Sequence, residues 1–177
     1  QSMAQNLNFV ADASIDVVLC HWALTLMDPV SPVFATIKRV LTADGIFAAI
    51  IDGDSATAPG YAEIHDIIYG YAQREYPSYG TIELGDPRVR RAGGLKELAS
   101  KTFADSDINI TPLLLGLNAA PDVLAREAAG FFYASFVLSA AGHHKMLIDL
   151  ETYFANHQQG GTGCIVMPAN LLIVRQN

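Results

Sequence analysis

Two short apolar runs, at residues 15–20, where Asp16 is the one charged residue, and at 46–51, stand either side of a segment whose apolar residues recur at helical spacing. Past Asp16 the runs show no polar alternation and are rich in β-branched residues, the pattern of strands buried on both faces. Between them, Asp28, Pro29 and the Ser31-Pro32 pair signal helix entry. Val33, Phe34, Ile37, Val40 and Leu41 then form one apolar stripe, Lys38 and Arg39 stand near its end, and Ala43-Asp44-Gly45 stops it. Strand, helix and strand at this spacing make a right-handed crossover between parallel strands, so the chain is bound to an α/β architecture.

Further along, residues 61–76 read as a helix rich in tyrosine and isoleucine, and 77–91 as a polar loop holding Gly80, Gly85 and Pro87. Together they resemble an insertion that covers a site. A short helix at 94–102 and an extended segment at 107–117 follow, Ile108 and Ile110 alternating with polar neighbours. Pro121 and Asp122 open a helix that runs to 141 with Gly130 as its weak point, and Gly142 separates it from a helix at 145–156. Gly160, Gly161 and Gly163 then form a loop before an apolar strand at 164–174. With no repeats and no linker-like segment, 1–177 reads as a single domain.

Composition narrows the function classes. A net charge of -7 without a Lys/Arg stripe disfavours a nucleic-acid partner. Hydrophobic residues reach 51%, yet no run approaches the length that spans a bilayer, so no membrane role is expected. Cys20 and Cys164 lie far apart with no Cys or His at zinc-ligand spacing, which argues against a disulfide framework and a structural metal, and a reducing cytoplasm is the default. Gln1, Ser2 and Met3 read as the remnant of a cleavable tag, and no secretory signal is visible.

The combination of segments from Asp12 to Asp52 resembles the fourth strand, following helix and fifth strand of class I S-adenosylmethionine-dependent methyltransferases. Asp12-Ala13-Ser14-Ile15-Asp16-Val17-Val18 is similar to the family's strand entry. Lys38-Arg39-Val40-Leu41-Thr42-Ala43-Asp44-Gly45 is similar to its Arg-Val-Leu-x-x-x-Gly helix exit, departing at Asp44. Phe103-Ala104-Asp105 before an extended segment, and Asn170 to Val174 after the glycine loop, look like the family's last two strands. The resemblance implies a truncated Rossmann-like methyltransferase sheet with an antiparallel C-terminal strand pair and a helical insertion. No Gly-x-Gly-x-Gly loop follows a strand, and Gly160-Gly161-Thr162-Gly163 stands after a helix and before a strand, the wrong order for a cofactor cradle.

The family places ligand contacts just after its fourth strand, which implies Cys20, His21, Trp22 and Ala23, at the carboxyl end where open α/β sheets bind ligands. His21 is the candidate general base, with a hydrogen-bonded structural histidine as the alternative. Trp22 is either a substrate wall or a core residue. The resemblance assigns Ala4 and Gln5 to the adenine side of the cofactor, where composition alone reads a frayed terminus. Asp52 and Asp54 either face the site or form a turn. Tyr61 and Tyr69, with Tyr71, Tyr76 and Tyr79, either line a substrate pocket or pack their helix. Arg88, Arg90 and Arg91 form either an acid-receiving cluster or a solvated loop. His143 and His144 are a poor metal pair, pointing to different helix faces.

The resemblance implies transfer of a methyl group from S-adenosylmethionine to a small molecule, with the chain incomplete as an enzyme on its own. The alternative is a non-catalytic dimeric binding or regulatory module derived from a methyltransferase; a third reading is a different nucleotide-binding α/β protein. Because the family's missing strands lie beside residues 15–20, that strand is expected to be an exposed edge through which two chains pair.

Overall fold

The computed structural model describes residues 3–82, 84–158 and 160–176, so Gln1 and Ser2, part of the expected tag remnant, lie outside the described residues. The elements run β1 (Ile15–His21), α1 (Ser31–Val40), β2 (Leu41–Asp52), α2 (Tyr61–Glu75), α3 (Ala92–Thr102), β3 (Asp107–Ala119), α4 (Pro121–Phe131), α5 (Ala140–Asn156) and β4 (Gly163–Arg175). They build a mixed α/β fold on a four-stranded sheet of order β1-β2-β4-β3. β1 and β2 are parallel, as the crossover requires, and β4 runs antiparallel to β2. The chain divides into two compact units, one of residues 1–54, 84–113 and 168–177, the other of 55–83 and 114–167.

In the first unit α1 turns Val33, Phe34, Ile37 and Val40 inward, and its last-turn cations Lys38 and Arg39 oppose the negative end of the helix dipole. Phe34 meets Phe47 of β2 and Phe103 after α3 at ring separations of 6.0 and 5.9 Å, and Leu95, Leu98, Leu172 and Val174 close the cluster. Fully burying each ring is worth about 1.5–3 kcal/mol. The Lys38 ammonium donates to the Thr102 carbonyl at 2.8 Å, satisfying an orphan carbonyl at the end of α3.

β2 begins directly at Leu41 instead of at residue 46. Ile15 faces Leu41 whereas Val17 faces Ile46, so residues 42–45 bulge from the ladder. The Ala43-Asp44-Gly45 segment is therefore a strand bulge, and a Cβ at Gly45 would lie 2.9 Å from the Thr42 carbonyl oxygen.

β1 corrects one expectation and meets another. It is not buried on both faces: Val17 is 52% and Leu19 76% exposed, because β1 is the end strand of the sheet and the helical core lies against only one of its faces. The exposed edge expected from the resemblance is present.

The second unit packs α2, α4 and α5 around Ile64, Ile68, Leu124, Ala128, Met146, Leu150 and Phe154. The single helix expected over 121–141 is broken after Phe131. Ser135 Oγ donates to the carbonyls of Ala129 and Phe132, capping the end of α4 and forming a 3-10 turn over Tyr133–Val137. Gly142 is not a separator but lies in the first turn of α5, where its N–H donates to Ser139 Oγ at 3.1 Å. The Glu75 carboxylate, from the end of α2, accepts from the Ser139 N–H and Oγ at 2.8 and 2.7 Å. Those bonds hold its carboxyl below the usual glutamate value. A Cβ at Gly142 would stand 2.0 Å from Glu75 Oε1, so only glycine leaves room for this carboxylate. Gly160 and Gly161 have φ of 60° and 87°, left-handed values suited to the expected glycine loop.

Candidate functional site at the carboxyl ends of two parallel strands

β1 and β2 are in register to His21 and Ile50, and the Trp22 N–H extends the ladder by donating to the Ile50 carbonyl at 2.9 Å. The backbone then turns sharply: Trp22 has φ of 52°, a left-handed conformation that is an outlier for so bulky a side chain. A conformation of this kind costs on the order of 1–3 kcal/mol and persists only where the surroundings fix it. Here the indole Nε1–H donates to the Asp52 carboxylate at the end of β2. The reversal also brings the backbone N–H groups of Ala23 and Leu24 to the Cys20 thiol; burial pushes that thiol's pKa up, and the two N–H groups partly offset the rise.

His21 is exposed, its ring 4.9 Å from the Trp22 ring in an edge-on arrangement. Four of the candidate residues, Cys20, His21, Trp22 and Ala23, thus occupy one turn, with Asp52 beside them. Of the two readings of Asp52, its side chain follows the one that turns toward this group.

Beneath the turn, Leu24 and Thr25 are buried, and the 84–91 segment rests on it. The Asp86 N–H donates to the Met27 carbonyl at 3.1 Å. Gly85, with φ of 71°, comes so close that a Cβ there would lie 2.1 Å from the Thr25 carbonyl oxygen. Asp86 is buried and gripped by the Arg88 guanidinium at 2.6 and 2.9 Å, which holds its carboxyl below the usual aspartate value. Arg88 is consequently an internal partner of Asp86. Arg90 donates to the Leu84 carbonyl at 3.4 Å, and Arg91 precedes the first turn of α3. Sequence reading had no signal for these contacts, since Thr25 and Gly85 are remote in the chain.

Ala4 is partly buried against the same core, and Gln5 is exposed. Their segment is tied down: Thr36 Oγ1 donates to the Gln5 carbonyl at 3.1 Å, and Arg39 donates to the Leu7 and Val10 carbonyls at 2.9 Å each and pairs with Asp12. A frayed terminus is excluded for Ala4 and Gln5.

Tyr61 and Tyr69 belong to the second unit, where both pack against its core. Tyr61 lies 5.5 Å from Phe132, while Tyr69 stacks on His65 at 3.9 Å and meets Tyr79 at 5.6 Å. The Tyr71 hydroxyl donates to Asp149 at 2.6 Å, which raises its pKa. Among the described residues no group of His, Cys, Asp and Glu is arranged to hold a metal, His143 and His144 included. No helix among them is long and apolar enough to cross a membrane.

Residues 1–49 match the family described as a methyltransferase domain. No curated protein matches the chain. Among solved structures, the fold is similar to the YcgJ protein of Bacillus subtilis, with 14% identity, a TM-score of 0.54 and coverage of 100% of this chain and 70% of that one. It is similar as well to a proposed methyltransferase of Bacillus halodurans, with 11% identity, a TM-score of 0.53 and coverage of 99% and 76%. The fold is that of the class I S-adenosylmethionine-dependent methyltransferases, and the segment holding β1, α1 and most of β2 bears the family's sequence pattern.

Proposed function

We propose that this chain is a methyltransferase-type domain that uses the carboxyl ends of β1 and β2 to hold S-adenosylmethionine and a small-molecule acceptor. The observation that supports this most is the turn at residues 20–23, where a tryptophan is fixed in a left-handed conformation by its ladder bond and by Asp52. Open α/β sheets bind ligands at this end, and strained backbone concentrates at such sites. Ala4 and Gln5 supply the adenine side, Cys20 and Ala23 the cofactor wall, and Trp22 the acceptor wall. In methyl transfer the acceptor attacks the sulfonium methyl group as the carbon–sulfur bond breaks. Alignment provides most of the catalysis, and His21 takes a proton where the acceptor must lose one. Tyr61 and Tyr69 are secondary candidates for acceptor contacts. The setting is cytoplasmic.

Calorimetric titration with S-adenosylmethionine and S-adenosylhomocysteine tests the reading. Saturable binding at micromolar concentration that Ala4→Trp abolishes supports it; no binding by the folded chain contradicts it.

A second reading follows from the uncovered edge of β1. In it the chain is a non-catalytic binding module that pairs with a second copy through residues 15–20. A dimer that binds neither S-adenosyl ligand supports this reading, and a monomer by light scattering contradicts it.

A further inference from the structure

We propose that Arg39 is the positioning residue for the adenine side of the ligand site: its guanidinium sets the path of residues 4–12, and ligand affinity depends on that path. The inference rests on the cofactor reading above and adds a residue that acts through Ala4 and Gln5.

Residues 3–14 form neither helix nor strand, and none of them is buried: Ala4, Leu7 and Val10 are half-buried and the others exposed. Apolar burial anchors such a segment weakly, so hydrogen bonds set its path. Two of these are local, from the Asn6 N–H to the Met3 carbonyl and from the Val10 N–H to the Leu7 carbonyl, both 2.9 Å. α1 supplies the ties of longer reach. Arg39 Nη2 donates to the Leu7 carbonyl and Nη1 to the Val10 carbonyl, at 2.9 Å each, and Nη1 also pairs with the Asp12 carboxylate. Thr36 Oγ1 donates to the Gln5 carbonyl at 3.1 Å. The Ala13 N–H donates to the Arg39 carbonyl at 2.9 Å and holds Ala13 at a left-handed φ of 48°. Residue 39 thus grips the segment with both backbone and side chain.

One planar guanidinium meets three acceptors here, a fork that an ammonium in its place does not reproduce. Opposing the helix dipole requires no such fork, and Lys38 already provides a cation in the same turn. A ligand that meets a loosened segment must first restore its path, so apparent affinity falls with the fraction of chains that hold it.

Four variants test the role. Arg39→Lys keeps the cation at the end of α1 but not the fork, Thr36→Val removes the tie to Gln5, and a third variant combines the two. Lys38→Ala removes the neighbouring cation, which bonds the Thr102 carbonyl and not this segment. Each is read by amide hydrogen exchange without ligand and by calorimetric titration with S-adenosylhomocysteine. Arg39→Lys is expected to speed exchange at Asn6, Val10, Ala13 and Ser14 while β2 and α3 exchange as in the parent. It should weaken binding about tenfold, as the loss of charge-assisted hydrogen bonds near a surface implies. Thr36→Val should weaken binding about threefold, and the combined loss should fall short of the product of the two, because both loosen one segment. Lys38→Ala should leave affinity unchanged.

Parent-like affinity in Arg39→Lys, faster exchange spread evenly over the first unit, an equal loss in Lys38→Ala, or a combined loss equal to the product overturns the positioning role while the cofactor reading stands. No binding by the parent chain contradicts the cofactor reading itself and ends the proposal with it.

Discussion

The two faces of the sheet in the first unit are built from the same strands and nearly the same residue types, yet only one of them is core. On the covered face Val18 and Cys20 of β1, Phe47, Ala49 and Ile51 of β2, and Leu172 and Val174 of β4 lie within or against the cluster formed with α1 and α3. On the other face Val17 and Leu19 are exposed, and Ile46, Ala48, Ile50, Leu171 and Ile173 are half-buried. Register ties each residue to its face: Val18 faces Phe47 and Leu19 faces Ala48, one step apart along the same pair of strands. An apolar run is therefore a statement about what a strand tolerates on both sides. Which side is filled depends on helices distant in sequence.

The largest effect that separates the faces is expected from Phe47→Ala. Removing this fully buried ring should cost about 3–5 kcal/mol, read from urea unfolding. The matched truncation on the open face, Leu19→Ala, should stay within about 0.5 kcal/mol. Similar costs for the two would erase the distinction.

Gly85→Ala comes next, because its added Cβ collides with the Thr25 carbonyl at a backbone angle that alanine disfavours. A loss of about 1–3 kcal/mol in the same assay is expected, with weakened ligand binding at the turn above.

A smaller, pH-dependent effect is expected from Asp86→Asn. Arg88 lowers the folded-state pKa of Asp86, so its contribution to stability is fully present above the ordinary aspartate value of about 4 and is lost as pH falls through the lower folded value. The variant should melt below the parent at pH 7, and the gap should narrow progressively below about pH 4. A constant gap across that range would show that the pair contributes through packing instead of charge.

The smallest change in monomer stability is expected from Leu19→Lys, since that side chain already lies in solvent. Its value lies elsewhere: if two chains pair through β1, light scattering should show the lysine variant as a monomer where the parent is a dimer.

Local patterns made much of this fold legible. The crossover of β1, α1 and β2 followed from apolar runs and proline placement, and the glycine loop before β4 from its position between a helix and a strand. Partners distant in the chain were not legible. Ser135 reaches back to end α4, Glu75 reaches the first turn of α5, and residues 84–91 fold onto the turn at 24–27. At the site, proximity to the end of β1 singled out His21 and Trp22, but no pattern told that Asp52 bonds the indole. That contact exists because two parallel strands end side by side. Nor does the continuous apolar pattern of β1 distinguish a central strand from an edge, since both faces of the strand read alike.

The most direct measurement is an amide chemical-shift map of the isotopically labelled chain titrated with S-adenosylhomocysteine. Shifts concentrated at residues 20–24 and 52–54, with smaller ones at 4–5, are the expected result. Shifts confined to 121–156, or none at saturating ligand, would contradict a cofactor site at the carboxyl ends of β1 and β2.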